Sequence, residues 1–123
     1  MKKYAKTHEW VEINGKIAMV GISDHAQNEL GDIVYVDLPE VGKEVKAGES
    51  LCSIESVKSA SDIYAPVSGK VVEVNTALED TPETINKSAE GEGWIVKIEV
   101  SAPDEVDKLL DKTEYEKLLE EEK

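Results

Sequence analysis

The 123-residue chain carries 27 acidic against 14 basic side chains, a formal charge of −13. That balance repels phosphate backbones and acidic lipid headgroups, so nucleic acid and membrane surfaces are poor partners and proteins with basic docking patches are better ones. The single cysteine, Cys52, cannot form an intramolecular disulfide, and no Cys-x-x-Cys or apolar run near the ~20 residues of a bilayer span occurs.

The length fits one domain over residues 1–123, and the reading is a cytoplasmic monomer. The N-terminus leads straight into patterned sequence, with no signal-peptide core. Short β-branched runs broken by glycines fill the first hundred residues, the pattern of many brief strands. Strands are predicted at 10–13, 16–22, 33–38, 50–56, 62–64, 70–74 and 94–100. Asn14-Gly15 between the first two is a two-residue hairpin signal, because both central positions of that turn need positive φ. Ser23 is placed to cap a short helix through Leu30, stopped by Gly31, and Thr81-Pro82 offers a cap and a first-turn proline for another. After Ser101 the pattern turns helical. Pro103 suits a first turn, Val106, Leu109 and Leu110 are expected to share one face, and Thr113-Glu114-Tyr115-Glu116 reads as a capping box before Leu118 and Leu119. The expectation is a β-sandwich core over 1–100 with a helical extension over 101–123 that packs on it, its last four residues a frayed, solvated end.

Few residues offer catalysis. Only His8 and His25 could serve as bases, neither stands in a nucleophile motif, and both read as surface or capping residues. No His-Glu-x-x-His or Cys/His spacing predicts a metal site. Ser68-Gly69-Lys70-Val71 lacks the glycine and hydroxyl of a phosphate loop, and Gly91-Glu92-Gly93 lacks the third glycine of a dinucleotide fingerprint. Trp10 and Trp94 are expected to bury their rings in the sandwich.

One lysine stands out by its setting. Lys58 sits among Ser56, Ser59, Ala60 and Ser61 between two predicted strands, with Gly48 and Gly69 at ten and eleven residues on either side. A faint echo of Asp32-Ile33-Val34-Tyr35 in Asp62-Ile63-Tyr64 hints at two half-sheets meeting around that turn. An ordinary lysine is a poor nucleophile at neutral pH, and no cation neighbours this one in sequence. As a tether acylated by another enzyme it would need exposure at a tight turn, small neighbours and a rigid sheet behind it, and the sequence supplies all three.

The stretch Glu-Ser-Val-Lys-Ser-Ala-Ser-Asp-Ile-Tyr-Ala-Pro-Val-Ser-Gly at 55–69 closely resembles the lipoylation motif of the H-protein family of the glycine cleavage system. The resemblance extends to Thr-His-Glu-Trp-Val at 7–11, to Val-Gly-Ile-Ser-Asp-His-Ala-Gln at 20–27 and to Leu-Gly-Asp-Ile-Val-Tyr-Val-Asp-Leu-Pro at 30–39. It continues through Val71 to Asn75, Gly91 to Trp94 and the helical tail, so nearly the whole chain is covered. Val57 and Ser59 beside Lys58 are unlike the Asp-Lys of acyltransferase lipoyl domains and the methionines that flank a biotinyl lysine. Three departures stand out: Ser59 for the commoner alanine, Cys52 for a small apolar residue, and Ser88-Ala89-Glu90 for the customary Pro-Tyr ahead of Gly91.

The resemblance implies a mostly β fold, a lipoyl/biotinyl-type barrel-sandwich hybrid with short helices and a C-terminal helical tail. It implies a non-catalytic carrier with lipoic acid in amide linkage on Lys58 and no metal. A pyridoxal-phosphate glycine decarboxylase would load an aminomethyl group as carbon dioxide leaves. A tetrahydrofolate-dependent aminomethyltransferase would take the methylene carbon, and dihydrolipoamide dehydrogenase would reoxidise the dithiol. Glu55 and Ser56 are expected to contact the lipoate-attaching enzyme, and Glu9 and Asp62 to line a cleft for the aminomethyl arm. Rival readings are a lipoyl relay to other acyl carriers, a biotinyl carrier, and an unmodified interaction module.

Overall fold

The computed structural model describes residues 2–121; Met1, Glu122 and Lys123, the last two part of the expected frayed end, lie outside the described residues. In chain order the strands are β1 (Lys2–Tyr4), β2 (Glu9–Asn14), β3 (Ile17–Ile22), β4 (Ile33–Asp37), β5 (Glu44–Val45), β6 (Ser50–Ser56), β7 (Ala60–Tyr64), β8 (Gly69–Val74) and β9 (Val96–Val100). The helices are α1 (Asp24–Leu30), α2 (Ala77–Asp80), α3 (Thr84–Ser88), a 3-10 helix (Pro103–Lys108) and α4 (Lys112–Glu121).

The strands form two antiparallel sheets, one of six strands in the order β1-β2-β3-β9-β8-β5 and one of three in the order β4-β6-β7. Among the described residues no ladder joins them, so the fold is a sandwich without barrel closure. Period-2 alternation explains how the sheets face one another. Val11, Val20 and Ile98 from the larger sheet and Val36, Ile54 and Ile63 from the smaller are buried in one shared core. Cys52 belongs to that core, and burial pushes its thiol pKa up to about 12, which keeps it protonated and inert.

The predicted hairpin is present but its turn lies one residue later: Asn14 ends β2 paired with Ile17, the loop is Gly15-Lys16, and only Gly15 takes positive φ, at +64°. The symmetry suspected around Lys58 takes the form of one long folded-back ribbon. Glu55 pairs with Ala60, Ser53 with Asp62 and, in the other sheet, Val45 with Gly69, so the ladders on both sides of the sandwich fold about the same turn. That doubling gives the lysine a rigid base.

A smaller core of Tyr4, Trp10 and Tyr115 fastens the C-terminal segment to β1 and β2. Trp10 packs flat over its cross-strand partner Gly21, where a Cβ would come within 2.8 Å of the indole nitrogen. Trp94 is only half-buried, with Lys97 Nζ 5.0 Å from its ring centroid.

Two details of the tail differ from the sequence pattern. The capping box is Asp111 with Glu114, whose carboxylates accept each other's backbone N–H at 2.8 and 3.1 Å, two residues before the Thr113 start that the pattern indicated. Val106 and Leu109 pack on the main core whereas Leu110 joins the smaller one, so the three do not share a face. The cause is the extended backbone at Leu109, after which Leu110 bridges to Tyr4.

Candidate functional site

Lys58 occupies the turn between β6 and β7 and is exposed, as are Val57 and Ser59. The turn is organised by Ser56. Its hydroxyl accepts the N–H of Lys58 and of Ser59, both at 3.2 Å, and donates to the Ser59 carbonyl at 3.1 Å, which also receives the Ser56 N–H at 2.8 Å. These local bonds fix the backbone under the lysine while leaving its side chain unencumbered. Ser56 is thus an internal fastener of the turn, whereas Glu55 is exposed on β6 across from Tyr35 and Ala60.

The lysine stem crosses the end of α1. Gly31 terminates that helix at φ +79° and ψ −157°, a region open essentially to glycine, and a Cβ there would lie 3.4 Å from Lys58 Cε. The Val57 N–H donates to the Asp32 carbonyl at 3.0 Å, and Asn86 secures the same corner by donating to the Gly31 carbonyl at 2.8 Å and accepting the Ile33 N–H at 2.8 Å. The lysine and the helix end are therefore a single structural unit.

Beside that unit lies a cleft of about 460 Å³, walled by Ala26, Glu29 and Leu30 of α1 and by Ser61, Asp62 and Ile63 of β7. Thr7, His8 and Glu9 form its floor, and Leu119 of α4 reaches it from the tail. Glu9 and Asp62, far apart in sequence, are thereby brought together. Glu9 is 2 % exposed. Its carboxylate accepts the Thr7 hydroxyl and the Tyr64 N–H, the latter at 3.2 Å. Burial outweighs the opposing effect of those bonds and lifts its pKa from 4.5 to about 7. Asp62 stands exposed on the rim. A wider groove of about 610 Å³, lined by Ile13, Met19, Val72 and Lys97 among others, shares no residue with α1 or β7, the elements that adjoin the lysine turn.

Several cleft residues escaped sequence reasoning. His8 and His25, read as surface or cap residues, line the cleft with their rings 5.0 Å apart. The signal that pointed toward them was adjacency: His8 precedes Glu9, and His25 follows the cap of α1. The unusual Ser88-Ala89-Glu90 stretch is also bound in. The Ala89 carbonyl accepts Trp10 Nε1–H at 2.9 Å, and Glu90 accepts the Tyr4 hydroxyl at 2.6 Å and the Asp24 N–H at 2.9 Å. Among the described residues no cluster of His, Cys, Asp and Glu could hold a metal, and no helix is long and apolar enough to cross a membrane.

A family model described as Glycine cleavage H-protein matches residues 2–122. The chain belongs to that family. It is 63% identical over 116 residues to a Thermotoga maritima protein called Glycine cleavage system H protein, covering 94% of each. A Carboxydothermus hydrogenoformans protein of the same name is 53% identical over 120 residues, 98% of this chain and 92% of the relative. A crystal structure of a glycine cleavage system H protein from Mycobacterium marinum superposes with a TM-score of 0.89 at 42% identity, covering 97% of this chain and 96% of that one. Membership gives the chain the role of a carrier subunit in glycine cleavage.

Proposed function

We propose that Lys58 carries lipoic acid in amide linkage and that the cleft beside it shelters the arm's cargo between partner enzymes. The supporting observation is the placement of an exposed lysine, on a backbone locked by Ser56, with its stem across the helix end that forms one wall of an acidic cleft. The residues fit such a group: the amine is open to an acylating enzyme, and the cleft falls within the roughly 300–1,000 Å³ of small-molecule sites. When bound, the lipoyl dithiolane supplies a disulfide that is reduced as a one-carbon amine is taken up.

What the chain's own residues contribute is reach, shelter and charge. Roughly ten single bonds of ~1.5 Å from the lysine backbone to the dithiolane give a span on the order of 14 Å, long enough to enter a partner's buried site. Tethering holds the cargo at high effective concentration for each partner in turn. Glu9 and Asp62 present carboxylates to an ammonium in the cleft, and a cation there would draw Glu9 into its ionised form, with loss of its proton. The walls from α1 and β7 flank the cargo on two sides and narrow its exposure to water.

On this reading the partners are the pyridoxal-phosphate glycine decarboxylase, the tetrahydrofolate-dependent aminomethyltransferase, dihydrolipoamide dehydrogenase and a lipoate-attaching enzyme. Glu55, exposed three residues before Lys58, is offered to the attaching enzyme, and Ser56 contributes by shaping the turn.

The test is an intact mass before and after incubation with lipoate, ATP and a lipoate ligase, followed by peptide mapping. Gain of one lipoyl group on Lys58 supports the carrier chemistry. No gain, with a control H protein modified in parallel, would overturn it in favour of an unmodified interaction module. Transfer of the lipoyl group onward to other acyl-carrier domains would instead identify a relay.

A further inference from the structure

The C-terminal helix touches the cleft with Leu119 and is tied to the segments that build it through the Tyr115 hydroxyl. Tyr115 is buried, its ring stacked on Tyr4 with centroids 4.4 Å apart and planes 4° from parallel. Its oxygen lies 2.6 Å from Ser23 Oγ and 2.7 Å from His8 Nδ1. Both contacts join segments more than ninety residues apart in sequence.

Each of those two partners holds a wall or the floor of the cleft. Ser23 is fully buried and caps α1, its hydroxyl accepting the Ala26 N–H at 3.2 Å. His8, immediately before Glu9, is the one non-glycine at positive φ among the described residues, at 76°. A residue with a Cβ keeps such a conformation only where its surroundings over-determine it. Here the surroundings are plain: the His8 carbonyl accepts the Ser23 N–H at 2.8 Å, and its ring is held by Tyr115. The phenol thus stands at the joint between the strand that supplies Glu9 and the helix that supplies the facing wall.

We propose that Tyr115 is a positioning residue of the cleft: by holding His8 and Ser23 together through one hydroxyl, the C-terminal helix fixes Glu9 against α1 and so sets how long a cationic cargo is retained. The inference rests on the cleft reading given above. The competing account is that Tyr115 merely docks α4. Removing the hydroxyl alone separates the two, because Tyr115→Phe keeps the ring, its stack on Tyr4 and the apolar packing. Leu118→Ala weakens the packing of the same helix on the same small core and leaves the hydroxyl untouched.

The experiment has two arms. On the unmodified chain, amide hydrogen exchange at Ser23 and Ala26 and the imidazole nitrogen shifts of His8 are compared between wild type, Tyr115→Phe and Leu118→Ala. On the lipoylated, aminomethyl-loaded chain, the retention lifetime is compared for the same proteins and for Glu9→Gln. We expect Tyr115→Phe to speed exchange at both amides by about tenfold, to move the His8 nitrogen signals and to shorten retention several-fold. Leu118→Ala should leave all three near wild type at a similar loss of melting temperature. Unchanged exchange and retention in Tyr115→Phe, with Glu9→Gln shortened, would overturn the role of Tyr115 and leave the cleft reading standing. An equal effect of Leu118→Ala would also overturn it, in favour of helix docking. Retention unaffected by either Glu9→Gln or Tyr115→Phe would overturn the cleft reading itself and the inference with it.

Discussion

The lysine turn and the cleft beside it are built in opposite ways. The turn is made chiefly by neighbours in sequence: Ser56 to Ser59 hydrogen-bond among themselves and β6 and β7 pair directly behind them, with the Val57 N–H bond to the Asp32 carbonyl as a tie to the end of α1. The cleft is assembled from separated pieces, with its floor at 7–9, one wall on α1, the other on β7, and Leu119 from the last helix. A local device survives changes elsewhere in the chain, whereas an assembled one depends on every contact that brings its parts together. On the proposed reading, a carrier built this way would present an acceptor of fixed geometry and keep its adjustable part, retention of cargo, in the tertiary packing.

The sharpest test of that division is Lys58→Arg. It keeps the charge and the turn bonds, which use only the backbone at this position, so lipoyl attachment should vanish in an intact-mass assay while the melting temperature stays near wild type. A large loss of stability would show that the side chain, and not the backbone, holds the turn.

Glu9→Gln probes the assembled region. A carboxyl whose pKa rises from 4.5 unfolded to about 7 folded binds more protons in the folded state, so stability falls as pH rises between those values and the full cost stands above 7. That cost is on the order of 3 kcal/mol at most. Glutamine retains an acceptor for the Tyr64 N–H and never ionises, so the variant should melt higher than wild type at pH 8 and the two should converge near pH 4. Parallel melting curves at both pH values would show that Glu9 is not penalised by its burial.

Gly31→Ala acts where the two regions meet. The glycine-only backbone there predicts a loss of about 1–3 kcal/mol and a melting temperature lower by several degrees. The added methyl would stand in van der Waals contact with the lysine stem, 3.4 Å from Lys58 Cε, so the side-chain shifts of Lys58 should move only slightly. The smallest effect belongs to Ser56→Ala. Loss of its hydroxyl should cost about 1 kcal/mol and speed amide exchange at Lys58 and Ser59 alone, leaving the cleft amides protected. Faster exchange on α1 in that variant would mean that turn and cleft are one cooperative unit.

What was legible in the sequence follows the same line. The hairpin after β2 (though not the exact turn residues), the Ser23 cap, the Gly31 stop and the lysine turn were all readable, because each is decided by residues within a few positions of one another. β1 and β5 were missed: Lys2–Tyr4 and Glu44–Val45 are too short for alternation to show, and they are strands only because an edge of the sheet pairs with them. The tail was read as one amphipathic surface, yet a break at Leu109 sends its apolar residues to two cores. His8 and Tyr115 gave no sign of each other, since nothing in a one-dimensional pattern marks a contact across 107 positions.

By itself, then, the sequence determined a strongly acidic chain of short strands, with one lysine displayed on a tight turn among small residues. The reason is that strand alternation, turn propensity and charge are properties of near neighbours or of simple sums. Only the tertiary structure decided that Glu9 is buried beside Asp62, that the lysine stem lies across the end of α1, and that the phenol of the last helix holds the cleft's floor to its wall. Those features depend on which distant segments the packing of two sheets and a docked helix brings within hydrogen-bonding range, and no local pattern carries that information.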